Sequence, residues 1–161
     1  MNLIIQSSLN TLSKSQIVLS NLTDKQLADV SVSPYYSSIG SHIRHILDFY
    51  DCIFNHIENH VDLTTRKRNL DVENCCDTAI CYLNTIVEQV SNLSNADIAK
   101  EVMVTDDLGL GRIEINYTFS SLLAQANSHT IHHYAIINYI LDRLHITIPD
   151  EDFGYNASTP K

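Results

Sequence analysis

The side chains best suited to chemistry in this sequence are histidines, and two of them, His129 and His133, lie four positions apart. On a helix, this spacing places both imidazoles on one face, one turn apart, where they can bind a single metal ion. An upstream segment, residues 42–48, contains His42 and His45 and could supply a third ligand. A three-histidine site leaves at least one coordination position free for water or a substrate. The spacing therefore predicts metal-centred chemistry.

A metal-free interpretation is that each histidine is satisfied separately by hydrogen bonds or lies at the edge of an apolar face. Histidine pairs with this spacing also arise by chance. However, a buried imidazole costs free energy unless its nitrogens find partners, and two on one apolar stripe need a shared explanation. Because a second helix supplies further histidines, we favour metal ligation. Periodicity leaves the third ligand open, since His42 lies near the centre of its apolar stripe and His45 lies on the flank.

Four long amphipathic helices are predicted from the apolar periodicity of the sequence. Their predicted ranges are residues 2–21, 37 or 38 to 60, 71–92 and 118–145. A capping box at Thr23 predicts a short helical turn after the first of them. The predicted apolar face of the last helix contains Phe119, Leu122, Ala126, His129, His133, Ile136, Ile140 and Leu144. Helices of this kind bury their apolar faces best as a four-helix bundle, where facing helices bring ligands together.

A short β-hairpin is predicted before the last helix. Residues 101–105 and 112–116 each alternate between apolar and polar side chains, and the glycines between them suit a turn. The tail, residues 150–161, is polar and is predicted to be extended; either Tyr155 closes over the site, or the tail docks on the bundle and only stabilises it. The predicted fold is therefore an all-α four-helix bundle with a short hairpin, in a single domain over residues 1–161.

Composition argues against several classes of function. Acidic residues number 19 against 10 lysines and arginines, which gives a formal net charge of −9. Such a surface repels nucleic acid unless a basic patch opposes it, and Arg66-Lys67-Arg68 is interpreted as a solvated turn. No apolar stretch approaches the ~20 residues that span a bilayer, and the N-terminus does not resemble a secretory signal. We therefore expect a cytoplasmic protein that binds neither nucleic acid nor a membrane.

The four cysteines are expected to be free thiols. Cys52, Cys75, Cys76 and Cys81 match no Cys-x-x-Cys zinc or redox motif. Disulfides are also rare in reducing compartments. Cys76 falls on an apolar stripe and is interpreted as a small core residue.

Segment 38–48, with its His-x-x-His motif, and the distant histidine pair together resemble the DinB/YfiT-like superfamily. These are damage-inducible metalloproteins. The resemblance covers nearly the whole chain, including the hairpin and the tail segment 153–159. It implies a divalent metal held by the later histidine of His-x-x-His, which is His45, and by His129 and His133.

Four further side chains could orient the implied ligands, because each metal-bound imidazole needs a partner for its other ring nitrogen. These candidates are His42, Asp48, Gln125 and His132. Asp48 and Gln125 each lie one helical turn from an implied ligand. Asp48 and Gln125 equally have an interpretation as ordinary polar residues, and His132 has one as a surface residue. Arg44 is interpreted as a surface residue.

Three neutral imidazoles suit zinc, nickel or ferrous iron. The open position can activate water or hold a small thiol as its nucleophilic thiolate. The resemblance implies a thiol S-transferase that joins a low-molecular-weight thiol to a small electrophile, or a metal-dependent hydrolase. It also implies a homodimer, which apolar positions such as Leu47 and Phe54 would permit.

Two non-enzymatic alternatives remain open. The same site could bind metal for stability or storage in a stress-response protein, or a metal-free bundle could serve only for association. The sequence contains no legible Ser-His-Asp or Cys-His arrangement and no glycine-rich phosphate loop. Catalytic residues other than the metal ligands are therefore not assigned.

Overall fold

The computed structural model describes residues 2–160 and is mostly helical, with one small sheet. The long helices are α1 (Leu3–Ser20), α3 (Ile39–Phe54), α5 (Cys76–Ser91) and α7 (Phe119–Arg143). The short helices are α2 (Asp24–Leu27), α4 (Leu70–Asn74) and α6 (Asn95–Ile98). The strands are β1 (His60–Asp62), β2 (Glu101–Asp107) and β3 (Arg112–Thr118). Met1 and Lys161, the ends of the predicted domain and tail, lie outside the described residues.

The four long helices correspond to the four predicted ones, and each of them contacts two others. Both α1 and α3 pack against α5 and α7, and the apolar faces between them form the core. The mostly helical class is confirmed, and the predicted hairpin is extended by one strand to a three-stranded sheet. Within residues 2–160, no helix combines the length and the apolarity needed to cross a membrane.

Side-chain caps fix where the predicted helices begin. The side chains of four residues accept hydrogen bonds from backbone N–H groups in the first helical turn: Asn2, Thr23, Ser38 and Thr118. Such caps satisfy N–H groups that have no partner within the helix. The predicted starts of these helices, including the capping box at Thr23, are confirmed.

The end of α3 differs from the prediction, which continued the second helix to residue 60. The helix ends at Phe54, and Glu58 and Asn59 have positive φ angles of 49° and 60°, which a right-handed helix does not contain. The chain turns there and enters β1, which pairs with β2 in parallel. Ile57, predicted to lie on the apolar face, is 75% exposed. Periodicity missed this turn because Ile57 happens to continue the apolar pattern.

The predicted hairpin is confirmed as β2 and β3, which pair in antiparallel fashion. Gly109 and Gly111 in its turn have φ angles of 101° and 108°, which residues with a Cβ rarely adopt. The Asp107 carboxylate accepts hydrogen bonds from both glycine N–H groups, at 2.7 and 3.3 Å. The parallel strand β1 is the part of the sheet that the sequence did not predict.

The predicted third helix is divided into α4 and α5. Cys75 is extended, with φ −134° and ψ 117°, and so breaks the helical path. The Asp24 carboxylate accepts a hydrogen bond from the Cys76 N–H (2.8 Å) and thereby supports the first turn of α5. The α4 backbone also lies so close to α3 that a Cβ on Gly40 would overlap the carbonyl oxygen of Glu73. The segment is thus packed closely against α3.

The chain after α7 packs back onto that helix. Residues 151–154 form turns, and the buried Phe153 ring lies against Tyr134 with 4.7 Å between the ring centroids. The Asn138 side chain donates a hydrogen bond to the Phe153 carbonyl oxygen (3.2 Å). The prediction of an extended polar tail was therefore wrong for this part, because one aromatic residue suffices to dock it.

Candidate metal centre

Three histidines meet between α3 and α7. The Nε2 atom of His129 lies 3.1 Å from Nε2 of His45 and 3.2 Å from Nε2 of His133. One nitrogen from each ring lies within 4.8 Å of the others. His45 comes from α3, and the four-residue spacing on α7 turns the other two rings to the same side. The structure thus brings together the three residues that the resemblance implied as ligands.

The histidine pair lies beside the buried face of α7, not within it as predicted. Residues on the buried face include Thr130, Tyr134, Ile137 and Leu141. The Tyr134 hydroxyl lies 2.6 Å from Ser15 Oγ and donates a hydrogen bond to the Thr11 carbonyl oxygen (2.8 Å), so contacts with α1 fix the rotation of α7. As a result, His129 and His133 are half-buried.

His42 lies on the outer side of the cluster. Its Nδ1 atom is 2.9 Å from Nδ1 of His133, and its Nε2 atom is 2.7 Å from Oγ of Ser37. A continuous chain of polar groups therefore runs from Ser37 through His42 to His133. A partner on the second ring nitrogen fixes the tautomer and orientation of a ligating imidazole. His42 occupies the place of such a partner, and His45 occupies the inner position.

Asp48 has partners other than His45. Its Oδ2 accepts a hydrogen bond from Arg44 (2.6 Å), one turn earlier, and its Oδ1 accepts one from the Tyr82 hydroxyl (3.0 Å). No hydrogen bond joins Asp48 to His45 within residues 2–160, so the expected orienting role is not what the structure shows. Arg44 also pairs with Glu73 (3.0 Å) and its side chain is only 14% exposed, so its interpretation as a surface residue was wrong.

Gln125 and His129 carry two of the buried polar atoms that lack a hydrogen-bond partner among residues 2–160. These atoms are Oε1 of Gln125 and Nδ1 of His129, one turn apart on α7. An unpaired buried polar atom costs about 1–3 kcal/mol, so a bond between them would be favourable. That bond requires the proton of His129 to lie on Nδ1, which leaves the Nε2 lone pair free for a metal.

His132 lies at the solvent side of the cluster. The residue is exposed, and its ring centroid is 5.2 Å from that of His133. It forms no hydrogen bond with the cluster within the described part of the chain, so the structure gives it no orienting contact.

Arg66 is the residue near the cluster that the sequence did not reveal. Its Nη1 atom lies 3.3 and 3.4 Å from the two ring nitrogens of His45, and its guanidinium lies 5.5 Å from the ring centroid of Phe49. The charged run 66–68 was predicted to be a solvated turn, and only Lys67 and Arg68 are exposed. No local sequence pattern predicts this contact, because it arises only when β1 pairs with β2 and the chain after β1 comes back to α3.

Burial keeps the three clustered imidazoles neutral. Burial, followed by the charges of His129 and Arg66, lowers the pKa of His45 to about 4. Burial and then Arg66 lower the pKa of His129 to about 4. Burial, with repulsion from His129 and His45, lowers the pKa of His133 to about 2. Neutral imidazole is the form that coordinates metal, so at neutral pH no proton has to be displaced.

The arrangement of nitrogens fits a metal ion better than a hydrogen-bonded cluster. One ring nitrogen offers either one N–H or one lone pair, so Nε2 of His129 can satisfy only one of its two short contacts. A cation can accept a lone pair from all three rings. Tetrahedral zinc, with Zn–N near 2.0 Å, separates its ligand atoms by about 3.3 Å. The Nε2–Nε2 separations of 3.1 and 3.2 Å in the cluster are close to this value.

A cavity opens one helical turn from the cluster. It has a volume of about 380 Å³ and is lined by Ser37, which contacts His42, and by Ile136, which lies one turn beyond His133. Its other walls are mostly apolar or aromatic (Val32, Pro34, Tyr35, Tyr139 and Ile140), with Ser33 and Arg143 as the polar exceptions. A second cavity of about 660 Å³ lies at the end of α3, and the three histidines themselves line neither cavity. The first is linked to the cluster through Ser37, whose hydroxyl contacts His42.

Comparison with known proteins gives a likeness at the level of the fold. No family model matches the sequence, and no curated protein matches it. A crystal structure of a DinB-like protein from Bacillus cereus ATCC 10987 is similar, with a TM-score of 0.58 and 17% sequence identity. The match covers 91% of this chain and 94% of that one. This chain therefore has a DinB-like fold.

Proposed function

We propose that this chain is a DinB-like protein that binds one divalent metal ion through His45, His129 and His133. The observation that carries the proposal is the convergence of their three neutral imidazoles, two of whose Nε2 atoms lie 3.1 and 3.2 Å from the third. The proposal includes a single domain and a four-helix bundle, which the mutual packing of the long helices supports. Zinc, nickel and ferrous iron all suit such ligands.

As to activity, we propose a thiol S-transferase that acts on small electrophiles. When bound, a divalent metal at this site would stabilise a thiolate at neutral pH, which is the nucleophilic form of a thiol. The chain itself supplies neutral ligands, and His42 together with Ser37 holds the outer nitrogen of His133. The apolar cavity beside Ser37 supports a small-molecule substrate. A metal-dependent hydrolase is the alternative activity, since the same site would activate water.

The activity is tested by assaying the purified protein with low-molecular-weight thiols and electrophiles, with and without added zinc, nickel or ferrous iron. We expect metal-dependent loss of free thiol that disappears in His129→Ala. Metal-dependent hydrolysis without thiol consumption would favour the hydrolase. Stoichiometric metal binding without either activity would instead favour the non-enzymatic stress-response protein.

We also propose a homodimer in a reducing, cytoplasmic environment. The four free cysteines support the environment. The apolar positions first considered for dimer contacts do not serve: Leu47 is fully buried, and Phe54 packs near Phe119 with 6.4 Å between the ring centroids. The dimer is tested by measuring the molar mass in solution by light scattering, where a mass near that of one 18.2 kDa chain would contradict it.

A further inference from the structure

Arg66 is a half-buried cation that has no anionic partner among residues 2–160. Its Nε donates a hydrogen bond to the Leu63 carbonyl oxygen (2.9 Å), and its Nη1 lies beside the His45 ring. The face of the Phe49 ring supports the guanidinium. Its Nη2 forms no hydrogen bond with any described residue. The guanidinium is thus held in position through Nε and Nη1, and its Nη2 amino group is left available to bind a ligand.

Two carboxylates near this part of α3 are already paired with other arginines. Asp48 binds Arg44, and Glu73 binds both Arg44 and Arg68. Arg66 remains unpaired although the chain carries an excess of nine negative charges. A guanidinium presents two parallel N–H groups that match a carboxylate, so its natural ligand is a planar anion.

The charge of the candidate metal centre increases the need for an anion. The three histidines are neutral, so a divalent cation held by them would keep its full charge, and Arg66 would add a further positive charge beside His45. Like charges in a partly buried site repel each other strongly, because the surroundings screen them less than water does. An anionic ligand that lies between the two cations relieves this repulsion.

We infer that Arg66 forms an anion-binding subsite beside the metal centre and that the small molecule bound there carries a carboxylate. This inference rests on the proposed metal site, because the subsite recognises a ligand that also reaches the metal. Its chemical class is a low-molecular-weight thiol with a carboxylate one or two carbons from its sulfur-bearing carbon. Arg66 is a specificity-determining residue in this account, since it selects the ligand by its charge.

The test compares two thiols of similar size, 3-mercaptopropionate and 2-mercaptoethanol, as ligands of the cobalt-loaded protein. Cobalt(II) absorbance first reports metal binding, and the sulfur-to-cobalt charge-transfer band then gives the dissociation constant of each thiol. We expect wild type to prefer the carboxylate thiol by about tenfold or more, as one charge-assisted hydrogen-bonded pair would provide. Arg66→Gln should reduce this preference to near one while cobalt remains bound.

The matched control is Lys67→Gln, which removes one positive charge from the adjacent exposed residue and should keep the preference of wild type. If Arg66→Gln does not fold, Arg66→Lys keeps the charge without the planar donor pair and should show an intermediate preference. An unchanged preference in the Arg66 variant, or no preference in wild type, overturns the subsite and leaves the metal site intact. Failure of wild type to bind cobalt overturns the metal proposal and the subsite with it.

Discussion

The two histidines of α3 contact the α7 pair through different nitrogens, and we therefore propose different roles for them. His45 presents Nε2 to the pair on α7, whereas His42 contacts the outer nitrogen of His133. Sequence spacing sufficed to identify the pair, because helix geometry alone places two residues four positions apart on the same face. It did not distinguish His42 from His45, since that choice depends on how α3 is rotated against α7. The family resemblance, not the apolar period, implied the inner position of His45.

The first prediction separates these two roles. His45→Ala should weaken metal binding by more than about 100-fold, because it removes a ligand, whereas His42→Ala should weaken it about 10-fold through loss of an orienting contact. Competition titrations with a chelator of known affinity measure both values. His56→Ala, on an exposed residue after α3, is the control and should match wild type. A larger loss for His42→Ala would exchange the two assignments.

A second prediction concerns the stability of the metal-free protein in acid. An imidazole in the unfolded chain takes up its proton near pH 6.5, but His129 in the folded chain has a pKa of about 4. As the pH falls from about 6.5 to about 4, the unfolded state binds a proton that the folded state does not, so the free energy of unfolding decreases. His129→Gln removes this group and should lose less stability over the same range.

Urea denaturation at about pH 7 and about pH 5 measures the effect, within the range over which the two pKa values differ. The quantity compared is the change in the free energy of unfolding between the two pH values in each protein. The contributions of the carboxylates, which both proteins share, therefore cancel. Equal losses of stability in wild type and His129→Gln would show that burial does not lower the pKa of this histidine.

Helix starts were predictable from the sequence, whereas two helix ends were not. Caps such as Ser38 and Thr118 act within four residues and therefore leave a local signature. The end of α3 and the break at Cys75 depend on contacts with β2, α2 and α3, which lie far away in sequence. The rotation of α7 had the same kind of cause, since Tyr134 is fixed by α1.

The third prediction tests the contact between α3 and α4. Gly40→Ala would place a methyl group against the Glu73 carbonyl group, which backbone on both sides holds in place. The free energy of unfolding should fall by about 1–3 kcal/mol, as for other overpacked positions. Urea denaturation measures this, with Asn84→Ala on the exposed surface of α5 as a control that should change little. A stability equal to that of wild type would mean that α4 can move away without cost.

At the scale of the whole molecule, the C-terminal tail packs back onto α7. The polar residues around Phe153 gave no sign that this residue makes the contact. Phe153 is buried against Tyr134, the same residue whose hydroxyl fixes α7 on α1. The tail therefore stabilises the helix that carries two of the three clustered histidines. A docked tail was one of the sequence-based alternatives, but a single aromatic residue among polar neighbours gives no periodic signal, so the sequence did not identify Phe153 as the residue that docks.

The fourth prediction is that Phe153→Ala lowers the free energy of unfolding by about 3–5 kcal/mol, the range for removing a buried aromatic ring. Chemical denaturation of the metal-free protein measures the loss. Leu110→Ala is the control, since this residue in the hairpin turn is fully exposed and should contribute almost nothing. A loss no larger than that of the control would mean that the tail is not docked in solution.

The most direct test of the account is the metal stoichiometry of wild type and His129→Ala, measured together with helical content by circular dichroism. The account predicts one zinc or cobalt ion per wild-type chain and none tightly bound in the variant. Helicity should remain the same in both, because His129 lies beside the buried face of α7 and not within it. A wild type that binds no metal, or a variant that binds it equally well, would contradict the central claim.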